Sequence, residues 1–169
     1  LAGHVTVGDN TFMGGGSAVH QFCRIGEGVM MAGHASITRD VAPCTMVAER
    51  DDVIGLNAVG LRRRGVPRAA MVELKAAFQA VFFTPGNIRE AAARELASGR
   101  WSSEETKRFL GFFAEGKRSF ARARRAARSR LRETALAPRP RRRPLTAPAR
   151  AAARALRLPC RSARARSQP

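Results

Sequence analysis

The chain has 169 residues, with 31 lysines and arginines, 13 acidic residues and a formal net charge of +18. This length suits one ordinary domain with a small additional element, and no apolar run is long enough to span a bilayer. Residues 116–169 hold 18 basic residues and one acidic residue, a net charge of +17. Residues 1–115 hold 13 basic and 12 acidic residues, a net charge of +1. The near-neutral part argues against a nucleic-acid-binding domain.

Residues 1–48 repeat with a period of six. An aliphatic residue opens each hexad, and Ala or Gly mostly follows it. The opening residues are Leu1, Val7, Met13, Val19, Ile25, Met31 and Ile37, and the pattern breaks at Pro43. A helical stripe would repeat every three or four residues and an amphipathic strand every two. The period predicts a parallel β-helix, a β-solenoid in which three hexads complete one triangular coil and the opening residue points inward.

The repeat is already in register at Leu1. Residues 1–48 hold about two and a half coils of this type. We expect further coils before Leu1, so that the chain is the C-terminal portion of a longer protein. This polypeptide alone would then expose an unpaired coil edge.

The composition changes after Ala48. Residues 49–65 are expected to form an irregular loop, rich in glycine and charge, that binds substrate. Residues 66–130 are expected to form a small helical domain, because apolar residues recur there at three- and four-residue steps. Residues 131–169 are expected to form a tail.

The sequence predicts four helices in the helical domain. The first three each have an apolar stripe, a capping residue or a proline suited to the first turn, and the fourth is basic. They begin near Pro67, Pro85–Asn87, Ser102–Ser103 and Lys117, and the last runs toward Arg130. The phenylalanines of this region are expected to form its core.

The tail consists mostly of Ala, Arg and Pro, and this composition predicts disorder. No aromatic residue follows Phe120, so the tail lacks the stacking platforms of a single-strand binder. Two origins stay open: a functional basic arm, or the product of a shifted reading frame in GC-rich DNA. We favour the second, because basic arms usually mix lysine with arginine.

Three separated motifs in residues 1–125 point to one family. They are LAGHVTV, GGGSAVHQFCRIG from Gly14 to Gly26, and GLNAVGLRRRG from Gly55 to Gly65. The chain resembles the UDP-N-acetylglucosamine O-acyltransferases, hexapeptide-repeat enzymes of the cytoplasm that begin lipid A biosynthesis. The resemblance implies a left-handed parallel β-helix, a C-terminal helical domain and a homotrimer with sites between subunits. It also implies transfer of a (3-hydroxy)acyl group from acyl carrier protein to the 3-hydroxyl of UDP-N-acetylglucosamine.

The resemblance implies roles for eight residues. Gly3 donates its backbone N–H to the oxyanion and His4 assists substrate; His20, Gln21, Asn57, Arg63 and Arg64 bind the sugar nucleotide; Gly33 limits the acyl chain. The principal general base is expected about one coil before LAGH, so this polypeptide alone is expected to have little or no activity. One departure is Val59, which stands where some family members carry Glu.

The spacing of the histidines gives a separate argument. His20 follows His4 by two positions fewer than one full coil of three hexads, so both are predicted on one groove wall of adjacent coils. A neutral imidazole can accept a hydroxyl proton near neutral pH. The alternative is that each is an ordinary surface histidine.

The basic residues after the repeat have two interpretations. The run LRRRG is suited to a diphosphate, because arginine makes forked phosphate contacts, but it could equally be a solvated surface. Arg68 and Lys75 are predicted to help attract an acidic acyl carrier protein.

No metal or other cofactor is expected. Neither the histidines nor Cys23, Cys44 and Cys160 show ligand spacing, and a reduced cytoplasmic protein is the simplest interpretation of the cysteines.

Two other functions stay open from the sequence. One is a hexapeptide-repeat acyltransferase with a different sugar or amine acceptor. The other is a non-enzymatic module whose basic tail binds nucleic acid or an anionic membrane.

Overall fold

The computed structural model describes residues 1–123. The predicted tail and the end of the fourth predicted helix lie outside these residues. Residues 1–48 form seven short strands separated by turns. They are β1 (Thr6–Val7), β2 (Phe12–Met13), β3 (Ala18–Val19), β4 (Arg24–Ile25), β5 (Met30–Met31), β6 (Ser36–Ile37) and β7 (Thr45–Ala48).

The strands form three parallel ladders, which are the faces of a triangular stack. Strand β1 pairs with β4, β2 with β5, and β3 with β6. The register partners Thr6 and Arg24 lie three hexads apart, and the other two ladders have the same offset. One coil therefore comprises three hexads, as the repeat predicts.

The residues that open the hexads point into the stack. In the second coil Val19, Ile25 and Met31 are buried, because the coils on either side cover them. In the first coil Leu1 and Val7 are exposed at the open end of the stack. The apolar core of this part therefore begins with the second coil.

The third coil is two residues shorter than the others. Met31 pairs with Val47, and Ile25 bridges to Val41, so both offsets fall two positions short of three hexads. The hexad pattern breaks at Pro43, within this coil. The shortening moves Cys44 into the left-handed turn position that Gly28 holds one coil earlier.

The interpretation of residues 49–65 as an irregular loop was wrong. Strand β8 (Asp52–Leu56) pairs antiparallel with β7, and α1 (Ala58–Arg63) follows it. Glu49 and Asp51 make the reversal with φ angles of 49° and 56°. Such angles normally favour glycine, so the residue types at this turn did not indicate a hairpin.

Three helices occupy segments for which helices were predicted. They are α2 (Arg68–Phe83), α3 (Ile88–Ala97) and α4 (Glu104–Gly111). Phe78, Phe109 and Phe113 are fully buried where these helices meet, and the rings of Phe109 and Phe113 are 5.3 Å apart. No helix within residues 1–123 has both the length and the apolar character needed to cross a membrane.

The fourth predicted helix does not form in its described part. Residues 117–121 are not helical, and β9 (Arg122–Ala123) pairs in parallel with β8. The backbone N–H of Asp40 donates to Ser119 O at 2.9 Å, and Ala121 N–H donates to Asp40 O at 2.9 Å. Hydrogen bonds to the β-helix thus replace those within a helix.

Candidate functional site

The turns of the first two coils put the fourth residue of each hexad in the left-handed backbone region. The φ angles of His4, Asn10, Phe22 and His34 are 57°, 56°, 64° and 58°. Non-glycine residues rarely adopt such angles. The coil of three hexads stacks these positions into three columns: a first corner with His4 and Phe22, a second corner with Asn10, Gly28 and Cys44, and a third corner with Gly16 and His34.

The first corner gathers four of the sequence-predicted site residues. Gly3, His4, His20 and Gln21 lie there on adjacent coils, and all four are exposed. A Cβ built on Gly3 would meet no atom within 4 Å. His20 Nδ1 lies 3.1 Å from the carbonyl oxygen of Gln21. The corner thus presents two imidazoles and an open backbone segment to solvent.

The residue stacked on His4 is Phe22, not His20. The two ring centroids are 5.0 Å apart and their planes differ by 4°. Because a coil comprises three hexads, Phe22 takes the register position next to His4. The backbone N–H of His20 donates to Ile37 O on the following coil, at 2.8 Å. His4 and His20 share a corner, but they are two residues out of line.

Asn57 lies at the second corner and caps α1. Its Oδ1 accepts from the N–H of Gly60 at 2.9 Å, and its Nδ2 donates to Gly28 O at 3.0 Å. Both polar groups of the side chain are therefore engaged within the chain. The cap joins α1 to the second coil of the β-helix.

Arg64 also contacts the second corner. Its Nη1 lies 2.8 Å from Glu27 Oε1, and the other oxygen of Glu27 lies 2.7 Å from Nη1 of Arg108 on α4. Arg64 Nη2 donates to Cys44 Sγ at 3.6 Å, and burial raises the pKa of that thiol. A Cβ on Gly28 would lie 2.5 Å from Nη2 of Arg64, so glycine leaves room for the guanidinium.

Arg63 differs from its neighbour. It is exposed in the last turn of α1, and it makes no ion pair with any part of the chain that the structure describes. Arg64 is half-buried against Glu27. Of the two arginines predicted to meet phosphate, Arg63 is the one whose guanidinium is available.

Gly33 lies at the third corner, away from the histidine pair of the first. It is exposed, and a Cβ built there would lie 3.4 Å from the carbonyl oxygen of Gly15. The ring of His34 packs on Gly16, whose Cβ would lie 2.8 Å from the imidazole. A single chain therefore distributes the predicted residues over three corners instead of gathering them in one cavity.

One further groove lies apart from these corners. A largely apolar groove runs between α3 and the end of α4, and it is lined by Arg89, Ala93, Leu96, Ala97, Leu110 and Ala114. In residues 1–123, no three His, Cys, Asp or Glu side chains gather as metal ligands.

The chain matches one family of known proteins. The sequence profile of UDP N-acetylglucosamine O-acyltransferase, domain 2, matches residues 40–121. A relative from Anaeromyxobacter sp. (strain K), an acyl-[acyl-carrier-protein]–UDP-N-acetylglucosamine O-acyltransferase, is 36% identical over 123 residues, covering 72% of this chain and 48% of the relative. The chain belongs to the UDP-N-acetylglucosamine O-acyltransferase family.

Solved structures of the family support the same assignment. The acyltransferase from Campylobacter jejuni matches with a TM-score of 0.67 at 35% identity, over 73% of this chain and 48% of the other. The Arabidopsis acyltransferase matches with a TM-score of 0.65 at 34% identity, over 72% and 46%. The chain thus spans about half the length of the curated relatives it matches.

The sequence analysis missed two residues that contact predicted site residues. Phe22 stacks on His4, and Glu27 pairs with Arg64. Phe22 could have been found, because it occupies the same hexad position as His4 one coil later. Glu27 carried no comparable signal. Its two partners lie 37 and 81 residues away in the sequence.

Proposed function

We propose that this chain supplies part of the active site of an acyltransferase that begins lipid A biosynthesis. The enzyme moves a (3-hydroxy)acyl group from the thioester of acyl carrier protein to the 3-hydroxyl of UDP-N-acetylglucosamine. The observation that carries the proposal is the first corner: within a chain of this family, Gly3, His4, His20 and Gln21 lie exposed together.

The chemistry at this corner is acyl transfer by direct attack. The sugar hydroxyl loses its proton to a base, its oxygen attacks the thioester carbonyl, and the thiol of the carrier leaves as the ester forms. The N–H of Gly3 stabilises the carbonyl oxygen as it becomes negative. His4 assists the substrate, while the principal base is a histidine other than His4, His20 and His34.

Recognition of the sugar nucleotide involves two corners. His20 and Gln21 position the sugar at the first corner, and the exposed guanidinium of Arg63 binds the diphosphate. Asn57 and Arg64 act indirectly, because their side chains already bind Gly28 and Glu27 and so hold α1 in place. Gly33 sets the space for the acyl chain at the third corner.

A homotrimer explains why one chain separates these groups. Each site would then lie between neighbouring subunits and combine the corners of two chains. An apolar stripe on the face formed by β2, β5 and β7 suits this contact. Its register partners are Phe12, Met30 and Met46, and Phe12 is 61% exposed. Exposed large apolar side chains of this kind often mark contact surfaces.

The proposal also covers the handedness of the coils, the cellular compartment and the docking of the carrier protein. The coils wind left-handed, the protein acts in the cytoplasm, and acyl carrier protein docks near the exposed Arg68 at the start of α2. The acidic carrier would be attracted by that basic surface.

A chimaeric enzyme tests the proposed activity. Residues 1–123 replace the matching segment of the Campylobacter jejuni acyltransferase, and mass spectrometry follows acyl transfer to UDP-N-acetylglucosamine. The chimaera is expected to turn over, and His4→Ala to lower the rate about a hundredfold. Glu90→Ala on α3, an exposed side chain apart from the three corners, is the control and is expected to retain the rate. A folded chimaera without transfer would contradict the proposal.

A further inference from the structure

Phe22 occupies a position that its own chemistry does not favour. Its side chain is 53% exposed, so much of the ring gains nothing from burial. Its φ angle of 64° lies in the left-handed region, where a bulky residue is a clear outlier. Backbone strain of this kind persists where the surrounding structure imposes it, and it is concentrated at functional sites.

Two contacts join Phe22 to the Gly3–His4 segment. Its backbone N–H donates to Gly3 O at 3.1 Å, and its ring lies parallel to the His4 imidazole at 5.0 Å. A parallel stack occupies one face of the imidazole and leaves both edge nitrogens available for hydrogen bonds. The contacts therefore restrain the orientation of His4 without using its polar atoms.

The second corner shows that this arrangement is not required by the fold. Asn10 and Gly28 take the fourth hexad position there on successive coils, with φ angles of 56° and 67°. Neither supplies an aromatic ring to a neighbouring coil. A turn of the same geometry can thus be made by a small residue that tolerates the left-handed conformation better.

We propose that Phe22 is a positioning residue for His4. Its ring holds the imidazole in one orientation, and its N–H fixes the adjoining Gly3–His4 peptide, so that both face the sugar nucleotide. The orientation of the imidazole rests on geometry alone. Its consequence for the ligand rests on the proposed function.

Phe22→Asn in the full chain separates positioning from stability. Asparagine suits the left-handed turn, as Asn10 shows, so the melting temperature is expected to stay constant or rise. A residue with a merely structural role would lower the melting temperature instead. Phe22→Tyr keeps the ring and serves as the conservative variant.

Proton NMR of the imidazoles gives the first readout. The chain has three histidines, so their ring signals can be assigned by substitution. Stacking on Phe22 is expected to shift the His4 ring protons upfield in the wild type and in Phe22→Tyr, and Phe22→Asn is expected to remove the shift. The signals of His34 are the internal control and should not move. An unchanged His4 signal in Phe22→Asn would overturn the proposal.

Binding of UDP-N-acetylglucosamine, measured by calorimetry, gives the second readout. Phe22→Asn is expected to weaken affinity about tenfold, the effect of losing one well-placed hydrogen bond, and Phe22→Tyr to restore it. Equal affinity in the wild type and Phe22→Asn would overturn the proposal. A wild-type chain that fails to bind the nucleotide while keeping the His4 shift would instead contradict the proposed function and leave the positioning of His4 supported.

Discussion

Arg24 and Asp40 join successive coils of the β-helix through two hydrogen bonds to one carboxylate. Asp40 Oδ1 accepts from the backbone N–H of Arg24 at 3.0 Å, and Oδ2 accepts from its Nε at 2.9 Å. The same guanidinium donates to the carbonyl oxygens of Phe112 and Glu115 and lies 4.3 Å from the centre of the Phe112 ring. This pair therefore holds the segment after α4 against the coils.

Removal of Asp40 should destabilise the whole chain. The Asp40 side chain is 1% exposed, so Asp40→Ala removes the buried counter-charge of Arg24 and leaves its partly buried guanidinium only the exposed Glu115 carboxylate, 3.6 Å from Nη1. We expect a loss of about 3 kcal/mol in the free energy of unfolding, measured by urea titration. The exposed Asp9 is the matched control, and Asp9→Ala should change this value by less than about 0.5 kcal/mol. Equal effects of the two substitutions would contradict the role given to the pair.

Two adjacent glycines should respond differently to a methyl group. A Cβ on Gly14 would lie 2.5 Å from the backbone nitrogen of Gly33, whereas a Cβ on Gly15 would meet no atom within 4 Å. We expect Gly14→Ala to cost about 2 kcal/mol of stability, because the stacked coils must move apart. Gly15→Ala should be nearly neutral. Chemical denaturation of both variants checks the coil spacing, and a neutral Gly14→Ala would contradict it.

The hexad repeat explains how much of this fold could be predicted. A period of six specifies inward residues, turns and a register of three hexads, and it placed His4 and His20 at one corner. The repeat could not predict that Arg64 turns toward Glu27 while Arg63 stays exposed, because that choice depends on a carboxylate 37 residues away. The β7–β8 hairpin was also missed, since non-glycine residues make its turn.

The contact between Glu73 and the start of α4 should make the stability of the chain depend on pH. Glu73 accepts from the hydroxyl of Ser102 at 2.5 Å and from the backbone N–H groups of Ser102 and Ser103 at 3.1 and 2.9 Å. These bonds, the Ser102 hydroxyl first, lower the pKa of Glu73 from 4.5 to about 2. The folded state thus binds this proton more weakly than the unfolded state, so the stabilisation is complete above pH 4.5 and is lost as the pH falls toward 2.

A melting series from pH 7 to pH 2 tests the role of Glu73. The wild type should melt higher than Glu73→Gln at neutral pH, and the difference should shrink between pH 4.5 and 2. Glu90→Gln on α3 provides the control, because Glu90 is an exposed side chain. A difference between wild type and Glu73→Gln that stays constant over the whole pH range would argue against the capping contact.

Binding of UDP-N-acetylglucosamine to the full chain tests the central claim most directly. Calorimetry should show saturable binding that Arg63→Ala weakens at least about tenfold, because a charge-assisted contact to the diphosphate is lost. Arg62→Ala should bind as the wild type does, since Arg62 Nε donates to Ala58 O within its own helix. No binding by the wild type, or equal losses in Arg62→Ala and Arg63→Ala, would contradict the account.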